Sequence, residues 1–240
     1  MNISKILAKT PFFTQIDRLE NQLASRTDVI HPSAESPTRF DIIRGRLESD
    51  SGGPPVRMLP IMLQCMTGIK ESYQSLKENP RDPQHTADDL LFSKIEKYAR
   101  SLGVSSVGYT RLPSRWVFQD KAVAYENVIM LSMEMDKAGI DSAPSPACMK
   151  TVMETYRDLG WVANQIADML RSRGFGAQAG HPLNGVALYP PLAQSAGLGW
   201  IGLNGIIITP EHGPRVRLAA VFTTIENLPC SDDNPHSWVV

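Results

Sequence analysis

Between Ala147 and Arg173 the chain carries its longest helical periodicity, with Val152, Tyr156, Leu159, Val162, Ile166, Met169 and Leu170 on one stripe and Gly174 at its end. Apolar residues recurring every three or four positions make one continuous face, so this stretch predicts a long helix that must bury that face against another layer. Gly160 interrupts the pattern without ending it. The partner layer is written on either side. Asn127 to Met135 is apolar through most of its length, as in a strand covered on both faces, and Val104 to Tyr109 and Val216 to Ile225 read as further strands. The alternation predicts an α/β fold, a mixed sheet flanked by helices.

Shorter signals fill in the order. Phe12, Phe13, Ile16, Leu19 and Leu23 recur at helical spacing, the turn-rich His31 to Pro37 follows, and Ser49 to Pro55 reads as a linker. Residues 1–55 are expected to form an N-terminal arm and residues 56–240 a single domain. Val56 to Leu76 predicts a helix that stops before Pro80. Thr86 is the expected N-cap of a helix over Ala87 to Leu102, with Leu90, Leu91, Ile95 and Tyr98 on one face and Gly103 as its stop. Beyond the long helix come a short strand at Ala177 to Ala179, a glycine- and proline-containing loop, a short helix around Leu192 to Ala196 and a strand at Gly205 to Thr209. Pro210, His212, Gly213 and Pro214 then make a hairpin-like connection to the last strand.

Composition narrows the partners. A formal net charge of -1 removes the electrostatic case for nucleic acid or an anionic membrane. The apolar runs fall short of the roughly 20 residues that a membrane-spanning helix needs, and Met1 to Lys9 has no secretory pattern. Cys65, Cys148 and Cys230 are scattered and include no CxxC pair, which suits a reducing cytoplasm and leaves no locally encoded cysteine-ligated cluster. His212 and His236 lack partners at metal-ligand spacing, so no metal site is expected. Cys65, Cys148, Met58, Met62 and Met66 are read as core. Arg215 and Arg217 alternate on one strand face, either solvated or holding an acidic group.

Gly197, Gly199, Gly202 and Gly205 fall within nine residues around Trp200, between a short helix and an aliphatic strand. Each glycine loses more backbone entropy on folding than other residues, so the crowding needs a cause. Two are open: left-handed dihedrals in a tight helix-to-strand turn, or close approach of the backbone to a large planar ligand. The GxGxxG pattern is matched only in letters, because the stretch follows a helix instead of a strand, and GxxxxGK[ST] is absent. A nucleotide-phosphate loop is excluded.

The string Leu192-Ala-Gln-Ser-Ala-Gly-Leu-Gly-Trp-Ile-Gly-Leu-Asn204, followed by Ile206-Ile-Ile-Thr-Pro210, Gly213 and Leu218, resembles the signature of the epoxyqueuosine reductase and corrinoid-dependent reductive dehalogenase superfamily. The wider resemblance runs from residue 87 to 229. It implies a nitroreductase-like fold that holds cobalamin without a protein side chain as the lower cobalt ligand. Gly197, Leu198, Gly199, Trp200, Gly202, Asn204 and Gly205 are the cofactor-binding residues this implies. It also implies a cytoplasmic cobalamin-dependent oxidoreductase that cleaves a bond of a small-molecule or nucleoside substrate, with electrons from a reduced donor through iron-sulfur clusters.

Two departures stand out. Where epoxyqueuosine reductases place a proton-donating aspartate, this chain has Leu183, Asn184 and Gly185; of the cluster cysteines expected soon after Pro229 it has only Cys230. The apolar ending Ser237-Trp-Val-Val240 makes a cut before an iron-sulfur domain the expectation, with the clusters there or in a partner. Tyr189 and His181 remain as candidate catalytic residues. The resemblance implies for Tyr189 the general-acid role of a reductive dehalogenase tyrosine, against a packed aromatic; for His181 the expectation is proton donation or a hydrogen bond to a corrin amide near neutral pH, against a loop-positioning role. A non-catalytic corrinoid carrier and an FMN-dependent enzyme on the same fold are the alternatives.

Overall fold

The computed structural model describes residues 11–38 and 56–230, so the expected linker at Ser49 to Pro55 and the ending at Ser237 to Val240 lie outside the described residues. Its helices are α1 (Pro11–Ala24), α2 (Leu59–Gln74), α3 (Asp89–Ser101), α4 (Lys137–Asp141), α5 (Pro146–Arg171) and α6 (Tyr189–Ser195). Its strands are β1 (Ser106–Arg111), β2 (Asn127–Glu134), β3 (Ala177–Gly180), β4 (Trp200–Ile201), β5 (Ile207–Ile208) and β6 (Val216–Thr223).

Four strands form the central sheet in the order β1-β2-β6-β3. Each neighbouring pair is antiparallel, with Tyr109 opposite Ile129, Ile129 opposite Val221, and Val221 opposite Ala179. The expected mixed sheet is therefore corrected to an antiparallel one. The long helix α5 does carry the chain from β2 back to a strand of the same direction, β3, but β6 inserts between the two and runs opposite to both.

Pleating sends successive side chains of β2 to opposite faces, and both faces are covered. Ile129, Leu131 and Met133 meet Leu91 and Ile95 of α3 and Leu159, Val162, Ile166 and Leu170 of α5. Val128 and Met130 belong to the other core, with Ile16 and Leu23 of α1, Met66, Ile69 and Tyr73 of α2, and Leu192 and Ala193 of α6. The stripe on the longest helix thus has the sheet as its partner.

Helix ends follow local chemistry. The N-cap of α3 is Asp88, whose Oδ1 accepts from the Leu91 amide at 2.7 Å, so the expected cap at Thr86 is corrected by two residues. At the end of α5, Gly174 takes φ 87°, and Phe175 N reaches back to Leu170 O at 3.1 Å. That left-handed closure suits glycine.

The connection expected to pair the last two strands does not pair them. β5 joins β4 in a separate two-stranded sheet, while β6 enters the central one. Between them Thr209 and Gly213 exchange backbone bonds of 2.9 Å, and Pro210 and Pro214 withhold the amides that a continued ladder needs.

Candidate functional site

The connection from β3 to α6 delivers both candidate catalytic residues. Gly180 ends β3, His181 starts the connection, and Tyr189 opens α6 with Pro190 and Pro191 in the first turn, where no helical amide is lost. Tyr189 is buried. Its hydroxyl lies against Gly180, where a β-carbon would collide with it, and its Cε2 lies 3.5 Å from the place a β-carbon on Gly185 would take. Two glycines therefore shape the space around this ring.

The connection is held at several points. His181 Nδ1 accepts from Leu183 N at 3.1 Å, and Asn184 Nδ2 donates to Glu20 Oε1 at 2.6 Å. Phe118 N donates to Val186 O at 3.1 Å and Leu188 N to Trp116 O at 2.9 Å.

His181 is sealed between two helices. A β-carbon on Gly160 of α5 would overlap its ring, and one on Gly68 of α2 would lie 3.3 Å from its Cδ2. The glycine that interrupts the stripe of α5 is the notch that admits this imidazole. Because Nδ1 accepts a hydrogen bond, the ring proton belongs on Nε2, which has no hydrogen-bond partner among the described residues. Burial disfavours the cation and pushes the His181 pKa down to about 3. The ring is neutral at ordinary pH. Substituting Gly160→Ala is expected to lower stability by about 2 kcal/mol in urea unfolding, since the added carbon must part α5 from the ring.

The four clustered glycines have separable causes. Gly197 has φ 75° and closes α6: its amide bonds Gln194 O at 3.0 Å and the Leu198 amide bonds Ala193 O at 2.9 Å. Gly197→Ala is expected to cost about 1–2 kcal/mol, readable as a lowered thermal midpoint, because a β-carbon strains that left-handed backbone. Leu198 turns into the core. Gly199 allows close approach to its own chain, since a β-carbon there would strike the Ile208 carbonyl oxygen.

Beyond it, β4 and β5 make a hairpin whose tip is Gly202 to Gly205. Gly202 N bonds Ile206 O and Gly205 N bonds Gly202 O, both at 2.9 Å, and Asn204 Oδ1 accepts from Ile206 N at 3.1 Å. Gly205 has φ 76° and no neighbour within 4 Å of where a β-carbon would stand. Leu203, Ile206 and Ile208 are exposed on this hairpin, and Trp200 and Ile201 are half-buried. The open apolar surface includes Ile206 and Ile208, which the glycine pattern did not single out; aliphatic residues directly after a glycine turn were the available signal.

One short helix joins the two features. α6 has Tyr189 at its start and the Gly197 closure at its end, and its seven residues span about 10 Å. Gln194 Oε1 accepts from Ile201 N at 2.9 Å, which fastens the hairpin to that helix.

Other residues are committed elsewhere. Arg215 precedes β6 and bonds Glu134 Oε1 at 2.6 Å, with His212 Nδ1 3.3 Å from the same carboxylate. The Arg217 guanidinium lies 4.8 Å from the Tyr156 ring centre. Cys65 is buried, and desolvation pushes its thiol up to about 12, far from a reactive thiolate. Among the described residues no three His, Cys, Asp or Glu side chains are grouped to hold a metal ion, and no helix is long and apolar enough to cross a membrane.

No protein-family model matches the chain. The chain is 35% identical over 141 residues to a tetrachloroethene reductive dehalogenase of Dehalobacter restrictus, which covers 58% of this chain and 24% of that protein. It is 27% identical over 157 residues to an epoxyqueuosine reductase of Gloeobacter violaceus, covering 62% of this chain and 49% of that one. It spans about a quarter of the first relative's length and half of the second's. Among solved structures, a reductive dehalogenase whose structure suggests a mechanism for B12-dependent dehalogenation superposes with a TM-score of 0.59 at 17% identity, over 88% of this chain and 33% of that one. The likeness shows a shared fold.

Proposed function

We propose that this chain, which over the part that matches is similar to reductive dehalogenases and to an epoxyqueuosine reductase, is the cobalamin-binding part of a reductase that cleaves a bond in a small-molecule or nucleoside substrate. The observation that carries the reading is the apolar hairpin with an open glycine tip, tied by α6 to a buried tyrosine.

The residues present fit the cofactor. A corrin is a broad ring edged with amide side chains, so its binding surface needs apolar area, backbone without intruding β-carbons, and polar groups for the amides. Leu203, Ile206 and Ile208 offer the area, Gly205 the bare backbone, and Asn204 a polar group. In this reading Trp200, Gly202, Asn204 and Gly205 touch the ring, while Gly197, Leu198 and Gly199 build the base that aims the hairpin. Fully burying one exposed leucine or isoleucine side chain adds about 1.5–3 kcal/mol to binding.

When bound, cobalamin supplies low-valent cobalt as the reductant of the substrate bond. The chain supplies position and protons. Tyr189 Oη is the proton donor of this reading, and it lies where a β-carbon on Gly180 would collide with it. His181, named beside it from the sequence, fits the loop-holding role instead: its Nδ1 accepts from Leu183 N within the same connection, and its ring is clasped between Gly68 of α2 and Gly160 of α5. Electrons come from a reduced donor, through iron-sulfur clusters in another region or a partner. A corrinoid carrier is favoured by one observation, the absence of a carboxylate at Leu183, Asn184 and Gly185.

Visible spectra of the purified chain titrated with cobalamin and, separately, with FMN test the proposal. A base-off cobalamin spectrum without FMN binding is expected, and FMN binding without cobalamin binding overturns it. Turnover that depends on added reductant then divides enzyme from carrier.

A further inference from the structure

A buried ion pair lies beside the turn in which the sequence has no carboxylate. Glu20 of α1 and Lys121 pair through side chains only 10% and 5% exposed. Glu20 Oε1 also accepts from Tyr73 Oη at 3.1 Å and from Asn184 Nδ2 at 2.6 Å. Lys121 Nζ has a second carboxylate, that of exposed Asp120, at 3.2 Å. A single carboxylate thus gathers one cationic and two neutral donors from three separate parts of the chain.

Stability alone does not call for such a pair, because an apolar pair of the same volume commonly serves as well. Direction is what it adds. Asn184 closes the turn Pro182–Asn184, and the next residue, Gly185, faces the Tyr189 ring, whose Cε2 lies 3.5 Å from where a β-carbon on Gly185 would stand. The connection is held at its start by His181 between Gly68 and Gly160, and at its end by the backbone bonds of Val186 and Leu188 to residues 116–118. Its middle is held by Glu20.

We propose that Glu20 is a positioning residue for Tyr189: by fixing Asn184 it sets the backbone at Gly185 and hence the direction of the Tyr189 hydroxyl. Its functional meaning rests on the reading of Tyr189 as proton donor. The lever is the N-terminal helix, so α1 is part of the site's working frame. Lys121 supplies the counter-charge that keeps the carboxylate a strong acceptor in a buried place.

Tyrosine-ring carbon NMR on the intact chain tests this, with Tyr189 assigned by Tyr189→Phe and Tyr109, which bonds Glu96 in the other core, by Tyr109→Phe. Asn184→Leu cuts the link and leaves the ion pair. The Tyr189 signal is expected to move and that of Tyr109 to stay. Glu20→Gln with Lys121→Met removes both charges but keeps an acceptor for Asn184, so the Tyr189 signal is expected to remain in place. Asn184→Ala reads the same displacement with a smaller change if the leucine variant does not fold. A folded Asn184 variant with an unmoved Tyr189 signal overturns the proposal, as does a displaced signal in the double variant. Cobalamin titration of the unaltered chain is independent: failure to bind overturns the cofactor reading and leaves the NMR result to decide the positioning.

Discussion

Lys121→Met is expected to lower the unfolding free energy by about 3–5 kcal/mol, and adding Glu20→Gln to the same chain to recover most of that loss. The single change strands a carboxylate whose side chain is 10% exposed, leaving it the hydroxyl of Tyr73 and the amide of Asn184 but no cation. Removing one member of a buried pair leaves an uncompensated charge, which is far more damaging than replacing both members together. Glutamine keeps an oxygen toward Tyr73 and Asn184 while it removes the stranded charge. Urea unfolding of the three proteins measures this. Equal destabilisation of the single and double variants would mean that packing of the lysine stem, not charge, holds the site together.

Acid is expected to weaken the fold through His181, by on the order of 4 kcal/mol between pH 6.5 and 3. The sign follows from which state takes up the proton. The unfolded chain protonates this imidazole as pH falls through its ordinary value of 6.5, whereas the folded chain, with the ring sealed between Gly68 and Gly160, resists until about 3. Stability is therefore fully present above 6.5 and drains as pH falls through that window. His181→Gln should show a shallower pH dependence than the unaltered chain over the same range, and parallel curves would place the acid sensitivity in other groups.

Much of the layer structure was legible because it is local. The stripe of Val152 to Leu170 repeats within one helix, and the unbroken apolar run at Asn127 to Met135 describes one strand covered on both faces. Strand order was not local. β6 separates β2 from β3, so an antiparallel sheet replaces the mixed one inferred from alternating helices and strands. The choice of Asp88 over Thr86 as a cap lies within the two-residue slack that neighbouring polar side chains allow.

At the candidate site, the glycines were visible but their separate duties were not. Gly197 serves a helix end and Gly199 a cross-strand approach, while Gly205 stands on an open tip. Gly160 read as an interruption because its partner, His181, comes from another element. Glu20 was hidden most deeply: the residue it holds, Asn184, lies 164 positions away. No periodicity connects such a pair; only the packing of α1 against α2 brings them together.

Hydrogen exchange at individual amides, with and without cobalamin, tests most directly whether the hairpin is the surface that meets the cofactor. Slowed exchange confined to residues 198–208 and the start of α6 is the expected footprint. Cobalamin that binds while those amides exchange as before would contradict it.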